Sequence, residues 1–541
     1  MIQKMIVPCF LFFLVLFSGA GFFQNHGVFA QDGLESGKGG KGTVLSETSA
    51  EEKAAEPSSW LKGVRDNLSV NGYLKNETAF RIKDPQAFTK ILNLFRLETR
   101  YSFSSENRLT GILRTFYDAV YDLENADTVS RRIGPTTILV DNPEIDQIPG
   151  LEVTNVRGVE EDKTGFELRE FYWESFGYFL PNLDLRMGRQ IVRWGVAEQA
   201  RVTDIINPLD FKEFILRDVS ERYIPLWLVK ANYFLSDVEF EAIWIPDMTF
   251  HTPAPRASEF EQFQFLPGRE EPDSEFSLLG TNFALQNSEA AFKVSFPLGE
   301  WDIALSYFYT WDDFVTTFRE TIQTQNLTQT QTEVEFNQKY TRNHNIGGAF
   351  SKGFGGVVLN AEVAYVLNKH FGAGFVPFFG SPIIGGGGGV RPGAVVVVGG
   401  EALGEEGVIV RDFFKYAFQA DFSSFGADFS LQFLQHYIPE HHGAIIQDKF
   451  DTVLTLFGRR VFANNLWAFQ LLTLYFINDA EFLIRPRTEY NIDDHLQVAF
   501  GSDVFIGEQT GSRDPFVPGD FRFVGFFKNS TRVYLELKYS F

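Results

Sequence analysis

From residue 68 onward the dominant spacing of apolar residues is two, the period of strands whose side chains point alternately into two different surroundings. Over Trp301–Trp311 one face would carry Trp301, Ile303, Leu305, Tyr307, Tyr309 and Trp311, and the other Asp302, Ala304, Ser306, Phe308 and Thr310. An apolar face with aromatics at both ends matches the tilted strand and interfacial girdles of a transmembrane barrel. Phe292, Val294 and Phe296 alternate with Lys293 and Ser295, and Phe414, Tyr416, Phe418 and Phe422 with Lys415, Gln419 and Asp421. A soluble sandwich alternates too, so these segments leave two all-β classes open.

The last strand separates them. Val533, Leu535, Leu537, Tyr539 and Phe541 face one way, and Arg532, Glu536, Lys538 and Ser540 the other. An alternating strand with a terminal Phe and an aromatic two residues earlier resembles the signal read by the outer-membrane barrel assembly machinery, which makes that machinery and outer-membrane lipid expected partners. Short connectors are expected near 105–106, 180–181, 236–237, 297–300, 354–356, 423–427, 463–465 and 493–494. Long ones cover 124–163, 195–224, 246–286, 312–339, 368–411 and 508–530. Short turns at one end and long loops at the other predict a transmembrane antiparallel β-barrel of about 16 to 18 strands with long extracellular loops. A barrel that wide has a lumen its own side chains cannot fill.

Composition agrees. Aromatics reach 16% with 59 Phe, yet 22% of residues are charged. After the first thirty residues no run of about eighteen apolar residues could cross a bilayer as a helix. The net charge of −22 lies largely in loop-like stretches, and no polybasic face invites nucleic acid. Lys4, the apolar stretch 6–17 and Val28-Phe29-Ala30 before Gln31 read as a secretory signal over 1–30. Residues 31–64, rich in Gly, Ser, Glu and Lys, read as a flexible periplasmic segment before a barrel over 65–541. Cys9, the only cysteine, lies inside the signal, so the mature chain would have no thiol chemistry; the export signal together with the alternating strands and the terminal strand makes the bacterial outer membrane the expected destination.

Charge concentrates where alternation fails. Arg186, Arg189 and Arg193 flank a break near Gly188 of the kind a bulge makes. Beyond it, Asn207-Pro208 reads as a helix cap and first residue, with Phe211, Phe214, Ile215 and Val219 on one face of a short amphipathic helix. Asp210, Lys212, Glu213, Arg217 and Asp218 would lie on its other side. Folded inward, 195–224 would narrow the pore; left outside, it would be an ordinary solvated loop, and loop 368–411 poses the same choice. The wall positions Arg96, Glu98, Arg100, Arg169, Lys293, Lys415 and Glu536 complete the candidate pore-lining set, placed there by alternation alone.

Gly188-Arg189-Gln190, Trp194-Gly195 and Ile206-Asn207-Pro208-Leu209-Asp210, with Gly72-Tyr73-Leu74 and the terminal strand, resemble a proteobacterial family of porin-like outer-membrane barrels known as a domain of unknown function. The likeness is clearest over 166–235. It implies a barrel, and members are associated with inner-membrane exporters of hydrophobic molecules; the motif residues have no established role to carry over.

Other candidates are weaker. Gly385–Gly389 lacks the Lys-Ser/Thr of a phosphate-binding loop. His436, His441 and His442 beside Glu440 match no standard metal spacing. Ser430 and His436, six residues apart on one strand, would lie about 20 Å apart. No catalytic group, metal site or cofactor is therefore expected. The expected function is passive passage of small solutes through a porin-like channel, filtered by lumen charge. The alternative is a barrel that carries hydrophobic compounds or partners an inner-membrane exporter. A homo-oligomer is compatible with either.

Overall fold

The computed structural model describes residues 67–123, 163–197, 201–254, 258–260, 269–270, 272–278, 281–326, 329–373, 376–377, 395–396, 407–445, 447–508 and 524–541. The expected signal 1–30 with Cys9, the segment 31–64 and the glycine run at 385–389 lie outside the described residues.

Within Asn67–Phe541, eighteen strands form one antiparallel sheet. They are β1 (Leu68–Arg81), β2 (Ala87–Ser102), β3 (Asn107–Asp118), β4 (Thr164–Phe176), β5 (Leu183–Gln190), β6 (Leu226–Leu235), β7 (Val238–Ile245), β8 (Glu289–Leu298) and β9 (Trp301–Trp311). The second half is β10 (Arg342–Phe354), β11 (Val357–Gly372), β12 (Val408–Ser424), β13 (Ala427–Tyr437), β14 (Phe450–Phe462), β15 (Trp467–Phe476), β16 (Glu481–Asn491), β17 (Leu496–Ile506) and β18 (Arg532–Ser540). Each pairs with its neighbour in sequence, and β18 returns to β1 from Tyr73↔Ser540 to Arg81↔Arg532. Closure leaves no row of unpaired N–H and C=O groups, which is what permits such a sheet in an apolar medium.

Alternation sorts the two faces as expected. Leu305, Tyr307, Phe292, Phe418 and Leu535 are exposed on the outer wall, while their neighbours Phe308, Ala291, Ala417 and Tyr534 are buried inside. At one end every connector is short: 103–106, 177–182, 236–237, 299–300, 355–356, 425–426, 463–466 and 492–495. The other end carries the long segments 119–163, 191–225, 246–288, 312–341, 373–407, 438–449 and 507–531, with only 82–86 and 477–480 brief. The short turns fall where the sequence places them; 438–449 is a further long connector, hidden in the sequence by its apolar flanks.

The bulge expected near Gly188 is absent. The β4–β5 register runs unbroken through Tyr172↔Gly188. Alternation fails there because Gly188 has φ +133 and a Cβ at that position would meet Phe171 O at 2.3 Å.

The barrel's seam is sealed by the last residue. Gly72 and Phe541 exchange two backbone hydrogen bonds of 3.0 Å, and the Phe541 ring stacks on Phe95 with centroids 6.3 Å apart. A Cβ on Gly72 would lie 2.5 Å from both Phe541 Cζ and Arg96 O. Gly72→Ala is therefore expected to destabilise the barrel by about 1–3 kcal/mol through overpacking at the seam. Urea titration of the folded protein in detergent, read by tryptophan fluorescence, checks this; a wild-type midpoint would refute the seam's role.

Candidate functional site: a loop anchored across the lumen

Of the segment between β5 and β6, the described residues 191–197 and 201–225 run through the interior. On one side its Glu213 meets Lys90 of β2 at 2.8 Å and Arg532 of β18 at 3.4 Å. Glu221 meets Arg96 of β2 at 3.3 Å and Arg114 of β3 at 2.9 Å, and accepts from the Tyr73 hydroxyl of β1 at 3.2 Å. The loop's carbonyls are used as well: Arg169 of β4 donates to Ser220 O and Glu221 O, both at 3.1 Å, and Arg485 of β16 to Leu216 O at 2.5 Å.

The opposite wall holds the loop's first turn. Glu362 of β11 is fully buried and accepts from Val196 N and Ala197 N at 2.6 Å, Thr203 N at 2.9 Å and Thr203 Oγ1 at 2.7 Å. Gly195 (φ +86) permits this approach, since a Cβ there would lie 2.6 Å from Glu362 Oε1. β2 and β11 are nine strands apart in a ring of eighteen, so the loop is tied to opposite walls. Its apolar residues finish the packing: Val192, Trp194 and Ile206 bury against Phe308 of β9, Ile243 and Ile245 of β7 and Leu226 and Leu228 of β6.

No helix forms over 207–219; the one helical turn is Val219–Arg222. Asn207 does not cap a helix, because its amide bridges Val192 N, Gln190 O and Ile224 O and so clamps the two ends of the loop together. Phe214 has φ +54, which ends any helical run. Nor do the aromatics share a face: Phe211 meets His251 and Phe314, whereas Phe214 packs with Phe260, Phe505 and Phe527.

The pieces of the sequence motif prove to be anchors. Gln190 is fully buried and donates to Leu228 O. Trp194 N donates to Asp204, and its indole N–H to Glu241 of β7. Leu209 N donates to His251 Nδ1.

The sequence candidates divide between paired and peripheral positions. Asp210, Glu213 and Arg217 form one network, with Arg217 at 2.8 Å from both carboxylates. Lys212, Asp218 and Glu536 border the cleft beside it, Glu536 held by Arg487 at 2.7 Å. Arg169 is buried against Glu167 at 3.3 Å. Arg96, Glu98 and Arg100 form a lateral row in which Arg100 meets Glu98 at 3.4 Å. Arg186 is spent on Glu174 at 2.6 Å, and Arg189 on Leu168 O at 2.9 Å. Arg193 lies 5.5 Å from the Tyr223 ring. Lys293 sits 3.6 Å from Glu241 and over Trp194, and Lys415 near Phe413.

Sequence reading missed Glu221, Glu241, Glu362, Asp204 and Arg222. Glu362 alone carried a signal, as an isolated carboxylate at an inward register position in an apolar strand. His441 and His442 cap local backbone, His436 faces Asp451 at 3.9 Å, and no metal-binding group occurs among the described residues. Ser430 pairs across the sheet with Asp421 and Phe457, and His436 with Lys415 and Asp451, so the two residues remain at separate levels of β13.

Between the loop and β1–β3 with β16–β18 remains a narrow, solvent-connected cleft. Lys75, Arg114, Lys212, Arg217, Arg485 and Arg487 face Glu77, Asp210, Glu213, Glu221, Asp503 and Glu536 across it. Burial by itself would raise the Glu213 carboxyl, but Lys90, Arg217 and Arg532 hold it well below the usual carboxylate range. Glu221 is likewise lowered, against burial, by Arg114, Arg169, Lys75 and Arg96.

A closed β-barrel whose interior is crossed by one of its own long loops defines a porin-like architecture. The model of the family described as Protein of unknown function (DUF1302) matches residues 87–373, and the chain belongs to that family. No curated protein matches it. Among solved structures it is similar to OccK8 (OprE) of Pseudomonas aeruginosa, with TM-score 0.43, 10% identity, and 88% of this chain and 98% of that one covered. It is also similar to a BenF-like porin from Pseudomonas fluorescens Pf-5, with TM-score 0.42, 8% identity and the same coverages.

Two predictions follow from the anchors. Glu362→Ala leaves four donors without their acceptor and is expected to cost at least about 3 kcal/mol. Trypsin should then cut at Arg193 or Arg201, sites expected to resist it in the wild type; equal resistance in both would refute the anchor. The depressed carboxyls of Glu213 and Glu221 contribute stability that is present above their unfolded value of about 4.3 and lost as pH falls through their lower folded values. Tryptic release of the loop, assayed at neutral pH after acid pulses, should therefore begin only below about pH 4.

Proposed function

We propose that the protein is an outer-membrane channel through which small polar solutes pass passively along the cleft left by the inward loop. The apolar outer band suits a bilayer, and short turns at one end with long loops at the other suit a periplasmic and an external side. The observation that carries the reading is the loop's attachment to opposite walls, by ion pairs on one side and by the Glu362 carboxylate gripping backbone amides on the other, which narrows the lumen without filling it. A cleft lined by guanidinium, ammonium and carboxylate groups suits hydrated solutes and would be a poor surface for hydrophobic cargo. The aromatic group of Phe214, Phe260, Phe505, Phe526 and Phe527 is closed packing that offers no apolar groove. The assembly machinery would recognise β18 through its terminal Phe541.

Single-channel recording in planar bilayers tests this. The wild type should give small, stable conductance steps, and replacing 195–224 by a short glycine linker should enlarge them several-fold. Retained heat-modifiable mobility would show that the variant still folds. Absence of current from both proteins would overturn the channel reading.

A further inference from the structure

Most lumen arginines are matched to carboxylates, but a group on the inward loop is not. Arg193 and Arg201 lie 5.5 and 5.8 Å from the same ring, that of Tyr223. Among the described residues Arg201 donates only to backbone carbonyls, at Asp204 and Asn207. Arg222, next along the chain from Tyr223, makes no side-chain hydrogen bond or ion pair among the described residues, and its Nε is fully buried without an acceptor. An orphaned buried guanidinium donor is costly and calls for a partner. Three carboxylates among the described residues act on the group without pairing with Arg222: Asp313 lies in the field of Arg201 and is 3.6 Å from His251. Asp204 accepts from Trp194 N and the Tyr223 hydroxyl, and Asp218 acts on Arg222 only at longer range. Arg485, which also acts on Arg222, is tied to Asp503 at 2.8 Å. Burial first, then Arg201 and Arg485, push the Arg222 guanidinium down to about 10, against the weaker opposing pull of Tyr223 and Asp218.

The unmatched series continues on the wall. Lys415 of β12 has no ion pair or hydrogen bond among the described residues; it lies first in the field of Lys369 and Arg201, and less strongly in that of Asp312 and Glu362. Its ammonium is 6.0 Å from the Phe413 ring, and that of Lys369, which is paired with Asp312, is 5.9 Å from the same ring.

We infer that the inward loop holds an oxyanion site built from Arg193, Arg201 and Arg222 around Tyr223, with Lys415 as its extension on the wall, and that it selects small carboxylate- or phosphate-bearing solutes. The guanidinium fork matches the planar oxygen pair of a carboxylate and two oxygens of a phosphate alike. An anion there would satisfy Arg222 Nε and relieve the repulsion within the group. The inference deepens the channel reading and rests on it for transport, though not for binding. It runs against the chain's net charge of −22, which taken alone would favour cations.

Two measurements separate the outcomes. In bilayers with a KCl gradient, the wild-type reversal potential should show chloride preferred over potassium; Arg222→Gln and Arg201→Gln should move it several-fold in permeability ratio toward potassium, and Arg222→Lys should restore it. A cation-preferring wild type, or a potential that none of these variants shifts, would overturn the site. In detergent, succinate and inorganic phosphate should each raise the melting temperature of the wild type, more than chloride at equal ionic strength, and not that of Arg222→Gln. A response to only one of the two assigns the solute to that class. No current with binding intact would defeat the channel reading and leave the site standing, whereas current without binding or anion preference would do the reverse.

Discussion

A lumen bounded by eighteen strands is too wide for wall side chains to meet, so whatever crosses it must find partners for its own backbone and charges in the interior. The segment between β5 and β6 does so by dividing the task between two walls. Glu362 on β11 takes three backbone amides and a hydroxyl, while on the opposite side Glu213 and Glu221 insert among Lys90, Arg96, Arg114 and Arg532. Neither half suffices. A loop fixed only at Glu362 could swing on its first turn, and one fixed only at β2 and β3 would leave the buried Glu362 carboxylate without its donors, a larger cost than any single surface ion pair returns.

This division explains the mixed character of the interior. Where the loop touches β6, β7 and β9 the contact is apolar, with Trp194 and Ile206 against Phe308 and Ile243. Toward β1–β3 and β16–β18 it is ionic, and there an open cleft remains. Long charged side chains meet at their tips and leave space beside their stems, whereas isoleucine and tryptophan close up; the open cleft therefore lies on the loop's charged side.

The wall was legible because each strand residue reports its own surroundings: Leu305 against Phe308, or Leu535 against Tyr534, follows from position parity alone. The seam was legible because Phe541 closes an alternating strand. The course of 191–225 was not. Its decisive contact joins Glu362 to amides more than 150 residues earlier, and an amide carries no side-chain signature. The helix expected over 207–219 failed for the same reason, since Asn207 has identical local credentials as a cap and as a clamp between Val192 and Ile224. Charge pairing is equally non-local: Arg186 and Arg222 look alike in sequence, yet one is spent on Glu174 and the other has no carboxylate partner.

The bonds to Glu362 also bear on how such a barrel can diversify. Because that carboxylate grips main-chain amides at 196, 197 and 203, the exposed Val196 side chain can be exchanged while the grip persists, provided Gly195, Thr203 and the buried Ala197 are kept. A lineage could thus change an exposed side chain of the loop without rebuilding its mooring. A grip written in main-chain amides lets such side chains drift faster than the architecture.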